Sequence, residues 1–232
     1  MRQLPLRVRL RDSARFASFL PRGNAEVFAL LAGDSLAMPR TLWLWGRPGT
    51  GKSHLLQAAC AAAGGRGEAA AYFDLATGSD SALLDGCEEL ATVCLDNLDA
   101  VAADDGWNAA IFRLYMLMQD GRGRLLVAST APPASLPFVL PDLRSRLLAS
   151  SVHQLHELDE AGQLAALQLR AARRGLDLSD EAALYLVHRL PRDLHSLFAV
   201  LDQLDDASLA AQRRLTIPFL REALEARPAQ DG

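Results

Sequence analysis

The sequence is short of cysteine, of any long apolar run and of surplus positive charge. Three cysteines, Cys60, Cys87 and Cys94, occur in 232 residues. Their spacing fits neither a metal site nor a disulfide framework. Each falls in an apolar or helical stretch, which reads as a buried thiol in a reducing cytoplasm. No apolar run approaches the roughly 20 residues of a membrane helix. The first ten residues hold three arginines, too much charge for a secretory signal. Lys and Arg number 24 against 28 Asp and Glu, for a net charge of −4 and a pI near 5.7. That balance argues against the broad basic surface of a free-standing DNA binder. No internal repeat is visible. What remains is ordinary globular composition, 50% hydrophobic and 22% charged, with enough apolar material for one domain or two small ones.

Apolar periodicity divides the chain in two. Asn24 is a plausible cap for a short helix over 24–32, with Val27, Phe28, Leu30 and Leu31 on its apolar side. Thr41 to Trp45 reads as a buried strand, and an Ala-rich helix follows to about Ala63, ended by glycines at 64, 65 and 67. Further strands are expected at Ala70–Leu75, at Ala91–Leu95 ending in Asp96, at Leu125–Ser129 and, more weakly, at Val152–Leu155. Helices are expected over 80–90 and 105–119. Alternating strands and helices imply a parallel sheet covered on both faces. After residue 157 only helices are expected, over 159–173, 179–189, 192–206 and 216–226. The boundaries read from this are an N-terminal peptide 1–9, an α/β nucleotide-binding domain 10–157, a small all-α domain 158–227 and a frayed tail 228–232.

Between the first strand and its helix, Gly46-Arg47-Pro48-Gly49-Thr50-Gly51-Lys52-Ser53 matches G-x-x-x-x-G-K-[ST] without exception. The glycines let backbone N–H groups turn toward phosphate oxygens, and the helix N-terminus adds partial positive charge. Lys52 can reach the β- and γ-phosphates and Ser53 can ligate Mg²⁺. Asp96, ending an apolar strand, stands where a second metal-holding carboxylate belongs. The next residue is Asn97, whose amide takes no proton from water at neutral pH, so intrinsic hydrolysis should be slow unless Asp99 or another group substitutes. Ser129 and Thr130 end the fourth strand, where a hydroxyl can orient the attacking water, and the sequence does not choose between them.

The P-loop, the Asp96-Asn97 strand end, the segment Leu140-Pro141-Asp142-Leu143-Arg144-Ser145-Arg146-Leu147 and the helical tail together resemble AAA+ ATPases of the bacterial initiator DnaA type. Within that group the chain is most similar to the Hda family of DnaA-related replication regulators. The likeness runs through Gln3-Leu4-Pro5-Leu6, Ser53-His54-Leu55-Leu56-Gln57-Ala58-Ala59-Cys60, Ala166 to Ala171, Leu201-Asp202-Gln203-Leu204-Asp205 and Ala211 to Phe219. The implied fold is a P-loop AAA+ core with a five-stranded parallel sheet, followed by a small all-α lid.

The resemblance also implies roles. Arg146 matches the arginine finger, which projects from one subunit to a neighbour's nucleotide. Arg144 lies two residues away and, on a helix, points about 200° from it. Arg192 matches the sensor 2 arginine of the lid. Phe16, Phe19, Gly23 and Asn24 resemble the box around the adenine base, and His54 follows Ser53 into the nucleotide-binding set. Gln3, Leu4, Leu6 and Val8 resemble the sliding-clamp-binding peptide, although the family order Gln-Leu-x-Leu-Pro-Leu is altered here. The implied cofactors are ADP or ATP with Mg²⁺. The implied partners are DnaA and the DNA polymerase III sliding clamp (the β subunit) on DNA, with no sequence-specific DNA binding, because no helix-turn-helix domain follows the lid, and no membrane. A homodimer would be a natural control, but no spacing specifies one. The implied function is regulatory inactivation of DnaA: Arg146 completes the DnaA active site in trans, at the replisome in the cytoplasm, and the chain's own ATPase activity is weak. Two other readings stay open, a stand-alone AAA+ ATPase acting as helicase loader or remodelling subunit, and a DNA-binding initiator fragment.

Overall fold

Strict alternation along apolar strands sends successive side chains to opposite faces, and the computed structural model of the protein uses both faces. It describes residues 14–33, 38–78, 80–121, 123–190, 193–211 and 215–225. Five strands, β1 (Thr41–Trp45), β2 (Ala70–Asp74), β3 (Thr92–Asp96), β4 (Arg124–Ser129) and β5 (Ser151–Gln154), form one parallel sheet in the order β2-β3-β4-β1-β5. Leu42, Leu44, Cys94, Leu126 and Ala128 point to one face, against α1 (Ala25–Ala32) and α2 (Lys52–Gly65). Trp43, Val93, Leu95, Leu125 and Val127 point to the other, against α3 (Asp105–Asp120) and α4 (Pro141–Leu148). Both sets are completely buried, each large side chain contributing about 1.5–3 kcal/mol. The central strands read as unbroken apolar runs because helices cover both faces.

The sheet order places β1 between β4 and β5, so the loop after β1 opens beside the carboxyl ends of its neighbours, where parallel α/β sheets bind ligands. Asp104 caps α3 by accepting from the Trp107 N–H, and Pro141 opens α4 at a position that needs no N–H donor.

Three local expectations are corrected. Residues 80–90 form two 3₁₀ turns, Ser81–Leu84 and Cys87–Glu89, instead of one helix: Asp85 is extended and Gly86 sits at φ +83°, which breaks the run. The helix after the P-loop continues through Gly64 and Gly65 and stops at Arg66 and Gly67. Asn24 stands at the N-cap of α1 but does not cap it. Its buried amide donates to the His156 carbonyl at 3.0 Å and accepts from the His156 N–H at 2.8 Å, fastening the start of α1 to the segment after β5.

The chain divides into two units between Glu157 and Leu158. The second unit contains α5 (Glu160–Arg173), α6 (Asp180–Arg189), α7 (Leu194–Ala211) and α8 (Ile217–Glu225), with no strand among the described residues. Asp159, Ser179 and Asp193 accept from first-turn N–H groups of α5, α6 and α7. The unit has its own core, including Leu167, Leu186, Leu201 and Leu220. All three cysteines are buried and none forms a disulfide, and burial raises the pKa of the Cys87 and Cys94 thiols. No described helix is long and apolar enough to cross a membrane.

Candidate functional site

The loop from β1 to α2 leaves no room for side chains at its turning points. A Cβ on Gly46 would meet the Leu155 carbonyl oxygen at 2.5 Å. Gly51 has φ +94°, and a Cβ there would stand 2.7 Å from the Phe19 ring. Thr50 is buried and closes the loop by donating to the Arg47 carbonyl at 2.9 Å. Gly51 caps α2 without a side chain, so no side chain fills the first turn of that helix.

Lys52 points back into the loop. Its Nζ donates to the carbonyls of Gly46 at 2.6 Å and Arg47 at 2.9 Å, and the side chain is buried. Burial lowers its pKa, while the carboxylates of Asp96 and Asp99 pull in the opposite direction. Ser53 is exposed on the first turn, and its hydroxyl has no hydrogen-bond partner among the described residues. A buried ammonium hydrogen-bonded, among the described residues, to loop carbonyls alone, an uncapped helix N-terminus and an unengaged hydroxyl fit a polyphosphate with its divalent metal.

Asp96 ends β3 only 1% exposed. Its Oδ2 accepts from the Tyr72 hydroxyl at 2.7 Å and its Oδ1 from the Asn97 N–H at 3.0 Å. A carboxylate has about four lone-pair sites, so capacity for a metal or its water remains. Burial raises the Tyr72 pKa, and the Asp96 charge adds to that. Asn97 is the one non-glycine residue with positive φ among the described residues, at +56°. Its amide turns from the loop and donates to Asp74 Oδ1 at 2.7 Å.

The two hydroxyls at the end of β4 differ in what they touch. Ser129 pairs in register with Trp45, is fully buried and donates to the Ala131 carbonyl at 2.5 Å. Thr130 is exposed and engages Asp99 twice, its N–H at 3.0 Å from Oδ1 and its hydroxyl at 3.2 Å from Oδ2.

The aromatic residues before α1 gather over the phosphate loop. Phe19 stacks on Phe28 with centroids 5.7 Å apart, Phe16 meets Phe28 edge-on, and His54 lies 5.8 Å from Phe19. The His54 Nε2 also approaches the Ser18 hydroxyl at 3.3 Å and the Arg15 carbonyl at 3.0 Å, tying α2 to this segment. The Asn24 amide is spent on His156.

Arg144 and Arg146 both lie exposed on α4 but are used differently. Arg144 donates to the Ala134 carbonyl at 3.1 Å. The Arg146 side chain makes no hydrogen bond or ion pair among the described residues. Gln3, Leu4, Leu6, Val8 and Arg192 lie outside the described residues.

Sequence reasoning missed Tyr72 and Asp74. The available signal was alternation: Tyr72 and Asp74 share the face of β2 that Asp96 shares on β3. Only the strand order makes those faces neighbours.

Residues 159–224 match the family model described as the lid domain of Hda. Domain III of the replication initiation protein DnaA from Thermotoga maritima superposes with a TM-score of 0.76 at 15% identity, covering 92% of this chain and 96% of that one. AMPPCP-bound DnaA from Aquifex aeolicus gives 0.68 at 19% identity, over 81% of this chain and 63% of that one. A mutant of RuvB from Thermotoga maritima gives 0.69 at 16%, over 93% and 72%. At such identities the structural likeness is one of fold: an AAA+ core followed by a helical lid.

Proposed function

We propose, from the match of residues 159–224 to the Hda lid domain and the fold shared with DnaA domain III, that this chain is a DnaA-related AAA+ protein that regulates replication initiation by acting on DnaA rather than by turning over ATP for itself. It binds ADP or ATP with Mg²⁺ in the Gly46–Ser53 loop, with Lys52 on the phosphates and Ser53 and Asp96 holding the metal. Magnesium supplies charge neutralisation at the phosphates. The chain's own residues supply the cradle, the ammonium and the bound carboxylate. It docks on the DNA-loaded sliding clamp through Gln3, Leu4, Leu6 and Val8. It engages ATP-bound DnaA and places Arg146 at the DnaA nucleotide, where such a finger is worth roughly 10³–10⁵ in rate.

The observation that carries this reading is the contrast along α4. Arg144 is held to its own chain by the Ala134 carbonyl, while Arg146 is exposed and engages no described group. An unpaired guanidinium on a helix surface is available to a partner's phosphate, to which its planar fork is suited. Asn97 adds support from the other side. An amide directed at Asp74 neither accepts a proton nor faces an attacking water, so this chain's own hydrolysis is slow.

A second reading has one observation behind it. Asp99 lies close enough to Lys52 to affect its charge and also binds Thr130, so a carboxylate is present that could serve intrinsic hydrolysis. Hydrolysis of DnaA-bound ATP, followed with and without DNA-loaded clamp, separates the two. Strong clamp-dependent stimulation with little turnover by the isolated chain is the expected result. Steady turnover by the isolated chain, lost in Asp99→Asn, with no stimulation of DnaA, would favour a stand-alone ATPase.

A further inference from the structure

The phenol of Tyr72 lies at a junction of three elements. It comes from β2, donates to Asp96 Oδ2 of β3 at 2.7 Å, and lies near the Gln57 side chain of α2. In the parallel register Tyr72 stands opposite Cys94, so its long side chain reaches two residues along the same face to Asp96. Gln57 follows Ser53 by four residues, one turn further along the same side of α2. The phenol thus binds the element that carries Asp96, close to the helix that carries Ser53.

Packing alone does not explain the hydroxyl. Tyr72 leans against the apolar cluster of α1, α2 and the sheet, which a phenylalanine ring would fill equally well. Tyr72 supplies the donor for the buried Oδ2 of Asp96, as the Asn97 N–H does for Oδ1. What the phenol adds is direction. With one donor on each oxygen, the plane of the carboxylate is fixed, and the remaining lone pairs have a set orientation.

We propose that Tyr72 is a positioning residue for the divalent metal that accompanies the nucleotide, fixing the orientation of the Asp96 carboxylate. Partners of this kind around ligating groups are typically worth about 10–100-fold in metal affinity. The assignment rests on the nucleotide-binding reading, and it concerns metal capture alone. Without metal, Tyr72 has no bearing on how the loop and Lys52 hold phosphates.

Two measurements on the full chain test it: ADP affinity in EDTA by calorimetry, and Mn²⁺ affinity of the protein–ADP complex by electron paramagnetic resonance. Tyr72→Phe is expected to bind ADP in EDTA like the unmodified chain while its ADP complex binds Mn²⁺ about tenfold or more weakly. In an Asp96→Asn background Tyr72→Phe should change Mn²⁺ affinity no further. Unchanged Mn²⁺ affinity in Tyr72→Phe would overturn the proposal, and so would ADP affinity falling as much in EDTA as with metal, which marks a role in folding the site. If the unmodified chain binds no ADP under either condition, the nucleotide reading fails and the positioning role falls with it. ADP binding with normal metal response in the variant sinks the positioning role alone.

Discussion

Asn97 follows Asp96 with an amide that takes no proton from water, and its backbone explains why a carboxylate there cannot be restored by one substitution. The residue adopts φ +56°, a region that asparagine tolerates and longer side chains do not favour. Its amide also binds Asp74, which a carboxylate at 97 would repel. Asn97→Glu is therefore expected to leave intrinsic ATP turnover low and to cost about 1–3 kcal/mol in stability, measured by denaturant unfolding. Lys52 offers a second residue-scale test, because it is the sole lysine beside 23 arginines. Burial depresses its pKa, so between that lowered value and the ordinary 10.5 the unfolded chain binds more protons than the folded one. Its contribution to stability is full above 10.5 and is lost as pH falls through the folded value. Lys52→Met should remove that rise from a plot of stability against pH. Reductive ¹³C-methylation of the lysine gives a direct reading by NMR: the free protein should titrate below the ordinary lysine value, and added ADP should raise the midpoint. A midpoint unmoved by ADP would mean that the ammonium does not meet the phosphates.

At the scale of elements, the phosphate loop and the finger helix obey different constraints. Gly51 couples the loop to the aromatic segment before α1, since φ +94° and the Phe19 ring 2.7 Å from any Cβ exclude a side chain. Gly51→Ala should destabilise the protein by about 1–2 kcal/mol and weaken ADP binding, with calorimetry reading both. On α4, Arg146→Ala should shift stability by less than about 0.5 kcal/mol, because the side chain holds nothing in its own chain. The elements themselves were largely legible in the sequence. Strands β1, β3 and β4 stand out because burial on both faces leaves no polar residue inside them, and the loop motif fixes its own geometry. The sequence misleads where a neighbour distant along the chain decides. Asn24 has a helix-cap residue's chemistry but spends it on His156, 132 positions away. Residues 80–90 have helical composition, but Gly86 divides them. The Tyr72–Asp96 bond depends on β2 lying beside β3 in register, which no local pattern specifies.

Across the whole molecule, each unit carries its own hydrophobic core, and the lid adds an ion network in which Asp202 accepts from Arg170 and Arg174 while Arg174 also pairs with Asp205. Arg170 further lies 4.6 Å over the Phe198 ring. Such partly exposed networks are worth about 1 kcal/mol, so Asp202→Ala should loosen the lid modestly and leave the nucleotide-loop contacts intact. The proposed activity divides in the same modular way. On that proposal the loop would bind nucleotide, the N-terminal peptide would localise the protein on the clamp, and Arg146 would act on a different molecule. Replacing Gln3, Leu4 and Leu6 with alanine should therefore abolish clamp dependence while leaving ADP affinity unchanged. The central claim is that the reaction occurs on DnaA, driven by one side chain of this protein. The most direct measurement is a single-turnover assay with radiolabelled ATP loaded only on DnaA, comparing the unmodified chain with Arg146→Ala and Arg144→Ala in the presence of DNA-loaded clamp. The account predicts that Arg146→Ala loses the stimulation while still binding ADP and clamp, and that Arg144→Ala retains most of it. Full stimulation by Arg146→Ala would contradict the account.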